Sequence, residues 1–324
     1  MKLHVLAPGL LTTVQDAGRF GWRHLGVAQC GALDVAAAML ANHLAGNGPD
    51  EAVLELTLQG PALRFERAVR LAICGARVLA RFESKDGDRY VVEAGRPVTL
   101  PPGVLRIGNL RDGARAWLAF AGGIDVPLML GSRSTDLRGG FGGVEGRALR
   151  SGDELKLRAP PRLSCTRPRM PKWWTDPHFD ERGLPIRYVP SQSAVELGGR
   201  AWQVSAHSNR QGLRLEGAAL ESPPREEISA PVAPGTVQLP PDGKPIVLLA
   251  DAQTVGGYPR LGHVIAADLP RLAHLCPGET VRFQSCDAQT ATRLACAARA
   301  RVARIRLMTD RYGIDQQQPR GNRE

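Results

Sequence analysis

Apolar and polar positions alternate in short runs along most of the chain. Val53-Leu-Glu-Leu-Thr-Leu58 alternates cleanly and Val69-Arg-Leu-Ala-Ile-Cys74 in part, the period-two pattern of strands half buried in a sheet. Shorter runs of this kind lie at 3–7, 78–82, 90–92, 104–107, 117–120 and 154–157. A second series follows at 202–205, 213–215, 237–239, 246–250, 263–266 and 280–283. Two stretches carry the longer helical period: 35–45, opened by Asp34 as an N-cap and closed by Gly46-Asn-Gly48, and a run from Asp287 through Ala298. Together they predict a mainly β protein with a few short helices. The run from Thr12 to Arg23 is polar, with Gly18 and Gly21, and reads as a loop.

The two strand series are separated by 159–185, punctuated by Pro160, Pro161, Pro168, Pro171, Pro177 and Pro185. That stretch reads as a linker laid on the surface through Trp173 and Trp174. It divides the chain into a first β unit over 1–158 and a second over 186–309, with a polar tail over 310–324 expected to be disordered. A weak internal duplication agrees with the split. Pro102-Gly103, Asp112-Gly113 and Gly139-Gly-Phe141 are echoed in order by Pro234-Gly235, Asp242-Gly243 and Gly256-Gly-Tyr258.

Length and composition fit this picture: 324 residues leave room for two cores, and 36 Gly with 25 Pro supply many turns. The net charge of +10 comes from scattered arginines, with no basic run or aromatic-interleaved stripe, so a nucleic-acid partner is not expected. Six cysteines without CxxC or Cys/His ligand spacing point to a reduced, cytoplasmic protein and to no metal site. No apolar window has the length of a membrane span, and neither a phosphate loop nor a dinucleotide fingerprint is present.

Four polar clusters stand beside glycines. Asp251, Gln253 and Thr254 follow the apolar run Ile246–Ala250 and precede Gly256, Gly257 and Tyr258, with Gln238 just upstream. A carboxylate, an amide and a hydroxyl thus leave a core strand where glycines permit close backbone approach. The other clusters are Gln15, Asp16 and Arg19; Arg133, Ser134 and Thr135; and Ser208, Asn209, Arg210 and Arg214. Arginine offers a charged fork for carboxylate or phosphate, and amide side chains read both donor and acceptor edges. A small planar molecule bearing amide and carboxylate groups would suit them. Each cluster has a plain structural reading as well: a strand-end loop at 251–259, a loop ion pair for Asp16 and Arg19, a turn cap for Arg133–Thr135, a side chain–backbone turn at Ser208-Asn209.

With these residues in view the chain resembles a known family. Thr12-Thr-Val-Gln-Asp-Ala-Gly-Arg19, Gly31-Ala-Leu-Asp34, Gly122-Gly-Ile-Asp-Val-Pro127, Gly131-Ser-Arg-Ser-Thr135, Ser208-Asn-Arg210, Arg214-Leu-Glu-Gly217 and Asp251–Pro259 follow the order of motifs in the biotin-dependent carboxyltransferase family. That family is also called allophanate hydrolase subunit 2 or KipA, and includes the C subunit of bacterial 5-oxoprolinase. The resemblance implies tandem cyclophilin-like β-barrels and an enzyme subunit working with an A subunit and a KipI-like B subunit. These would open 5-oxoproline to L-glutamate with ATP, which the partners would bind or share. Asp251, Gln253 and Thr254 would be catalytic, with the remaining cluster residues binding substrate. Two other readings stay open: carboxyl transfer from carboxybiotin on a carrier protein to urea or a similar amide, and a non-catalytic regulator of a KipI-like kinase inhibitor. The chain departs from the family at Pro190-Ser-Gln192, where Gly-Pro-Gln is usual, and at Gln211, where Met is usual.

Overall fold

The computed structural model describes residues 1–178, 181, 183–191, 196–221 and 228–315, with side chains to 311; Gln192 of the departing motif lies outside these residues. The protein is mainly β, as expected. Strands β1 (Lys2–Ala7) to β9 (Glu154–Lys156) form one nine-stranded sheet, in which β2 (Leu11–Gln15), β3 (Val53–Thr57), β8 (Gly103–Phe120), β4 (Ala62–Phe65), β1 and β9 are neighbours in that order. β5 (Val69–Ser84) pairs with β8 and also carries β6 (Arg89–Glu93) and β7 (Pro97–Leu100). Seven later strands close into a barrel in the order β10 (Ile186–Pro190), β17 (Arg260–Val264), β14 (Thr236–Gln238), β15 (Ile246–Leu248), β12 (Gly212–Glu216), β11 (Ala201–Val204) and β18 (Thr280–Ser285). β13 (Ala230–Pro231) and β16 (Val255–Gly256) make a separate two-stranded ribbon.

Several expected elements differ in extent. Residues 69–74 and 78–82 belong to one strand, because Gly75, at φ 106°, makes a bulge in register with β8 and does not end the ladder. A Cβ there would lie 2.8 Å from the Trp117 ring, so glycine is required by packing. The expected strands at 104–107 and 117–120 are likewise joined, in β8. Thr12–Gln15, read as part of a polar loop, is strand β2: each side chain is buried and the backbone pairs in register with β3. Polarity misled there because the hydroxyls find partners indoors, as when Thr12 Oγ1 donates to Pro8 O at 2.6 Å.

Each unit has its own core. Phe65 and Phe82 stack at 5.9 Å in the first, and Tyr188 meets Phe283 edge-on at 6.3 Å in the second. Helix α1 (Val35–Ala45) belongs to both: Ala37, Leu40, Ala41 and Leu44 pack with Cys74 and Trp117 of the sheet and with Ala273, which follows the short helix α2 (Leu269–Leu272) of the second unit. Asp34 caps α1, accepting the Ala37 N–H at 2.9 Å. Trp173 of the connecting segment joins this cluster while Trp174 stays exposed. The last helix, α3 (Ala288–Asp315), is capped by Asp287, which accepts the Thr290 N–H at 2.6 Å, and continues past the expected start of the tail at 310. Its extension is held at Thr309 and Asp310, whose oxygens lie 3.0 and 3.2 Å from His43 Nε2 on α1.

Candidate functional site

Arg210, on the turn before β12, is 3 % exposed and sits between the two units. Its Nε and Nη2 donate to the two oxygens of Asp251 at 2.9 and 2.8 Å, a bidentate pair. Nη1 donates to Glu55 of β3 in the first unit, and Nη2 also to Gly31 O at 2.6 Å. Glu55 Oε2 in turn accepts Trp117 Nε1 at 3.0 Å and the Leu33 N–H at 2.9 Å. Burial alone would lower the pKa of this guanidinium, but Asp251 and Glu55 overcome it and hold the pKa above its ordinary value. The arrangement is a desolvated clasp between units. Asp251 was expected to assist an attacking water. Both its oxygens are engaged by Arg210 and it is 3 % exposed, so in this geometry it positions and does not meet solvent.

The cluster of Gln15, Asp16 and Arg19 and that of Arg133, Ser134 and Thr135 come together. Asp16 Oδ1 accepts Ser132 Oγ and Ser134 Oγ, both at 2.6 Å, and the Gly18 N–H at 2.9 Å, while Oδ2 accepts the Arg133 N–H at 2.5 Å. Gln15 spans from Thr13 and Thr135 O, to which its Nε2 donates, to the Gly31 N–H, which it accepts. Arg19 does not pair with Asp16. Fully buried, it lies over the Phe141 ring at 4.5 Å and donates to Met129 O and Ser134 O at 3.1 and 2.8 Å. The backbone then passes to the second unit: Arg19 N–H donates to Gln29 O at 2.7 Å and Cys30 N–H to Ala250 O at 2.9 Å, one residue from Asp251. Burial, reinforced by Asp251 and Asp136, pushes the Cys30 thiol far up, so it stays protonated and is no nucleophile.

Around this seam several buried donors have no partner: Arg19 Nη1, Arg23 Nη1, Arg133 Nε and Gln238 Nε2. Arg23 spends its other nitrogen on Val232 O and Gln253 O at 2.5 and 3.2 Å, and Gln253 Nε2 donates to Gln238 Oε1 at 3.3 Å. Gln253, Thr254, Gly256 and Gly257 are half-buried beside them and Tyr258 is exposed. A buried donor left unmade is costly, and such donors fit a guest rich in acceptor oxygens. Neither of two cavities found elsewhere reaches this seam: one of about 480 Å³ lies around Phe65 and Gly103 of the first sheet, and one of about 330 Å³ runs between α1 and α3.

The rest of the fourth cluster is elsewhere. Arg214 is exposed on β12, between the core residues Leu213 and Leu215, and so points out of the barrel away from Arg210. Ser208 Oγ accepts the Arg214 N–H at 3.0 Å and Asn209 Oδ1 accepts the Gln211 N–H at 2.8 Å, which builds the turn that presents Arg210. Sequence patterns placed Ser132 within the Gly131–Thr135 motif but singled out neither it, nor Arg23, nor above all Glu55 as a site residue. They also left a second polar centre unseen. Asp34, fully buried, has Oδ2 2.9 Å from Nε2 of both His178 and His274. Burial would lower the His178 pKa, but Asp34 and Glu181 raise it to about 10, and His178 in turn pulls Glu181 down to about 2.

The chain is similar to known proteins over most of its length. The model of the carboxyltransferase domain, subdomains A and B, matches residues 25–285, and the chain belongs to that family. It is 39% identical to the 5-oxoprolinase C subunit of Escherichia coli over 302 residues, covering 89% of this chain and 93% of the relative. It is 34% identical to the Haemophilus influenzae 5-oxoprolinase C subunit, covering 92% and 96%. With urea amidolyase of Lachancea kluyveri it shares 32% identity over 90% of this chain but 17% of that one. Among solved structures it resembles TTHA0988 (TM-score 0.76, 36% identity, 88% of this chain) and the K. lactis urea amidolyase (TM-score 0.78, 28% identity, 93% of this chain). The chain spans 56% and 20% of those two.

Proposed function

We propose that this chain is the C subunit of a cytoplasmic, multi-subunit, ATP-dependent 5-oxoprolinase that cleaves 5-oxo-L-proline to L-glutamate. The observation that carries the reading is reach: similarity runs over 93% and 96% of two 5-oxoprolinase C subunits but over 17% of a urea amidolyase. Site chemistry supports it. 5-Oxoproline presents a carboxylate and a lactam oxygen, the acceptors that Gln238 Nε2, Arg23 Nη1, Arg19 Nη1 and Arg133 Nε lack. Water adds to the lactam carbon, the ring C–N bond breaks and the nitrogen takes a proton, giving glutamate. In this reading Gln238, Gln253 and Thr254 orient the ring, Gly256 and Gly257 admit it, and Asp251 holds Arg210 in place. ATP is bound by the A subunit and the KipI-like B subunit, since this sequence has no phosphate loop.

The test is reconstitution with candidate A and B subunits and a glutamate-release assay on 5-oxoproline, with and without ATP. Release should require this chain and ATP together; release undiminished without the chain overturns the proposal. Family membership favours one second reading, carboxyl transfer from carboxybiotin to a small amide. Transfer of labelled carboxylate from a biotinylated carrier, with no glutamate release, would establish it. Binding of a KipI-like partner with neither activity would point to a regulator.

A further inference from the structure

Asp34, His178 and His274 come from the N-cap of α1, the connecting segment and the loop after α2, yet their donor atoms all lie within 4.8 Å of one another. We propose that they form a binding site for a divalent transition metal, Zn2+ by ligand type, that pins the connecting segment between the two β units. The inference is independent of the activity proposed above and uses none of its residues.

Geometry carries the argument. The Asp34 carboxylate is oriented by its other oxygen, Oδ1, which accepts the Ala37 N–H at 2.9 Å, so Oδ2 is presented toward the two rings. The His274 backbone is fixed by the Ala114 N–H, which donates to its carbonyl at 2.9 Å, and its ring stands edge-on to Trp117 at 5.6 Å. His178 Nε2 and His274 Nε2 both lie 2.9 Å from Asp34 Oδ2, so two imidazole nitrogens from separate segments converge on one buried carboxylate oxygen. Donor atoms so converged are placed as metal ligands would be. On its other side, His178 Nδ1 is 3.4 Å from Glu181 Oε2, and Glu181 is anchored by Arg301 at 2.9 Å. That is the outer carboxylate that metal-bound histidines commonly have. Two imidazoles and one carboxylate suit Zn2+ and leave a coordination position open. His178 and Glu181 also line the cavity of about 330 Å³ between α1 and α3, which gives an ion a way in.

The test uses the full-length, tag-free chain, stripped with chelator and titrated with ZnCl2 by calorimetry, alongside His274→Gln and His178→Gln. One Zn2+ per chain is expected, with a rise in thermal midpoint, and each variant should weaken binding at least about tenfold and abolish the rise. Circular dichroism of the stripped variants separates loss of the site from loss of the fold. Substitution with Co2+ should give visible d–d bands without a thiolate charge-transfer band, which excludes binding by the free cysteines. No binding at equimolar Zn2+, binding unchanged in both variants, or a thiolate band would each overturn the proposal and leave a proton-held polar cluster.

Discussion

Arg210 is the residue on which most of the seam depends. It is buried between two carboxylates, Glu55 and Asp251, and removing it leaves Asp251 without a cation and Glu55 with Arg115 alone, 3.7 Å away, in a desolvated place. Arg210→Ala is therefore expected to cost about 3–5 kcal/mol in urea unfolding, whereas the double change Arg210→Met and Asp251→Asn, which keeps the Glu55–Arg115 pair, should cost far less, since no charge is then stranded. A double variant as unstable as Arg210→Ala would contradict this account. Gly256 is the opposite kind of position. A Cβ there would lie 2.5 Å from Gln238 Nε2, the free end of a flexible side chain. Gly256→Ala should leave stability within about 1 kcal/mol of the parent but lower kcat/KM for glutamate release in the reconstituted complex about tenfold or more, about 1.4 kcal/mol of transition-state binding. Sequence showed Arg210, Asp251 and Gln238 as polar groups beside glycines. It gave Glu55 no sign, because in Leu-Glu-Leu a glutamate takes the solvent side of an alternating strand. Here the second unit covers that side and Glu55 is 1% exposed.

Among elements, the strands were legible as pieces and not as wholes. Alternation marks where a strand is half buried but not whether a glycine ends it, so β5 and β8 each read as two. Helix α3 shows the converse limit: it runs past the expected start of the tail at 310, and Thr309 and Asp310 meet α1. That contact includes His43, whose pKa burial lowers, aided by Arg306 and Arg70 and opposed by Asp310. Since the folded pKa lies below the unfolded value of about 6.5, the unfolded state binds more protons. This contribution is complete above pH ~6.5 and is lost as pH falls through the folded pKa. The other ionic anchor, Glu181 with Arg301, is silent in that window because Glu181 is held at about 2. Hydrogen-exchange protection in α3 should therefore decline as pH falls below about 6.5, and His43→Gln should flatten the decline. An equal decline in that variant would place the titrating group elsewhere.

At the scale of the whole molecule, the two units are separate sheets but not separate bodies. Their junction is made of backbone bonds from Ala114 to His274 and from Cys30 to Ala250, of Arg115 Nη1 donating to Ala273 O at 3.0 Å, and of the Arg210 clasp. Around Ala273, 1% exposed, α1 closes the apolar part of the same junction. This explains why the centres at this junction were not legible in the sequence: Glu55 and Arg210 are 155 positions apart, and Asp34 and His274 are 240. No local pattern joins residues at that separation; only packing of α1 against both units does. A junction this dense should make the units unfold together, as one calorimetric transition. Ala273→Asp would bury an unpaired carboxylate against α1 and Trp117, which desolvation heavily penalises, while leaving both sheet cores intact. The expected result is two resolved transitions, the upper close to the parent midpoint. A single transition shifted downward would mean instead that neither unit holds its fold without the other.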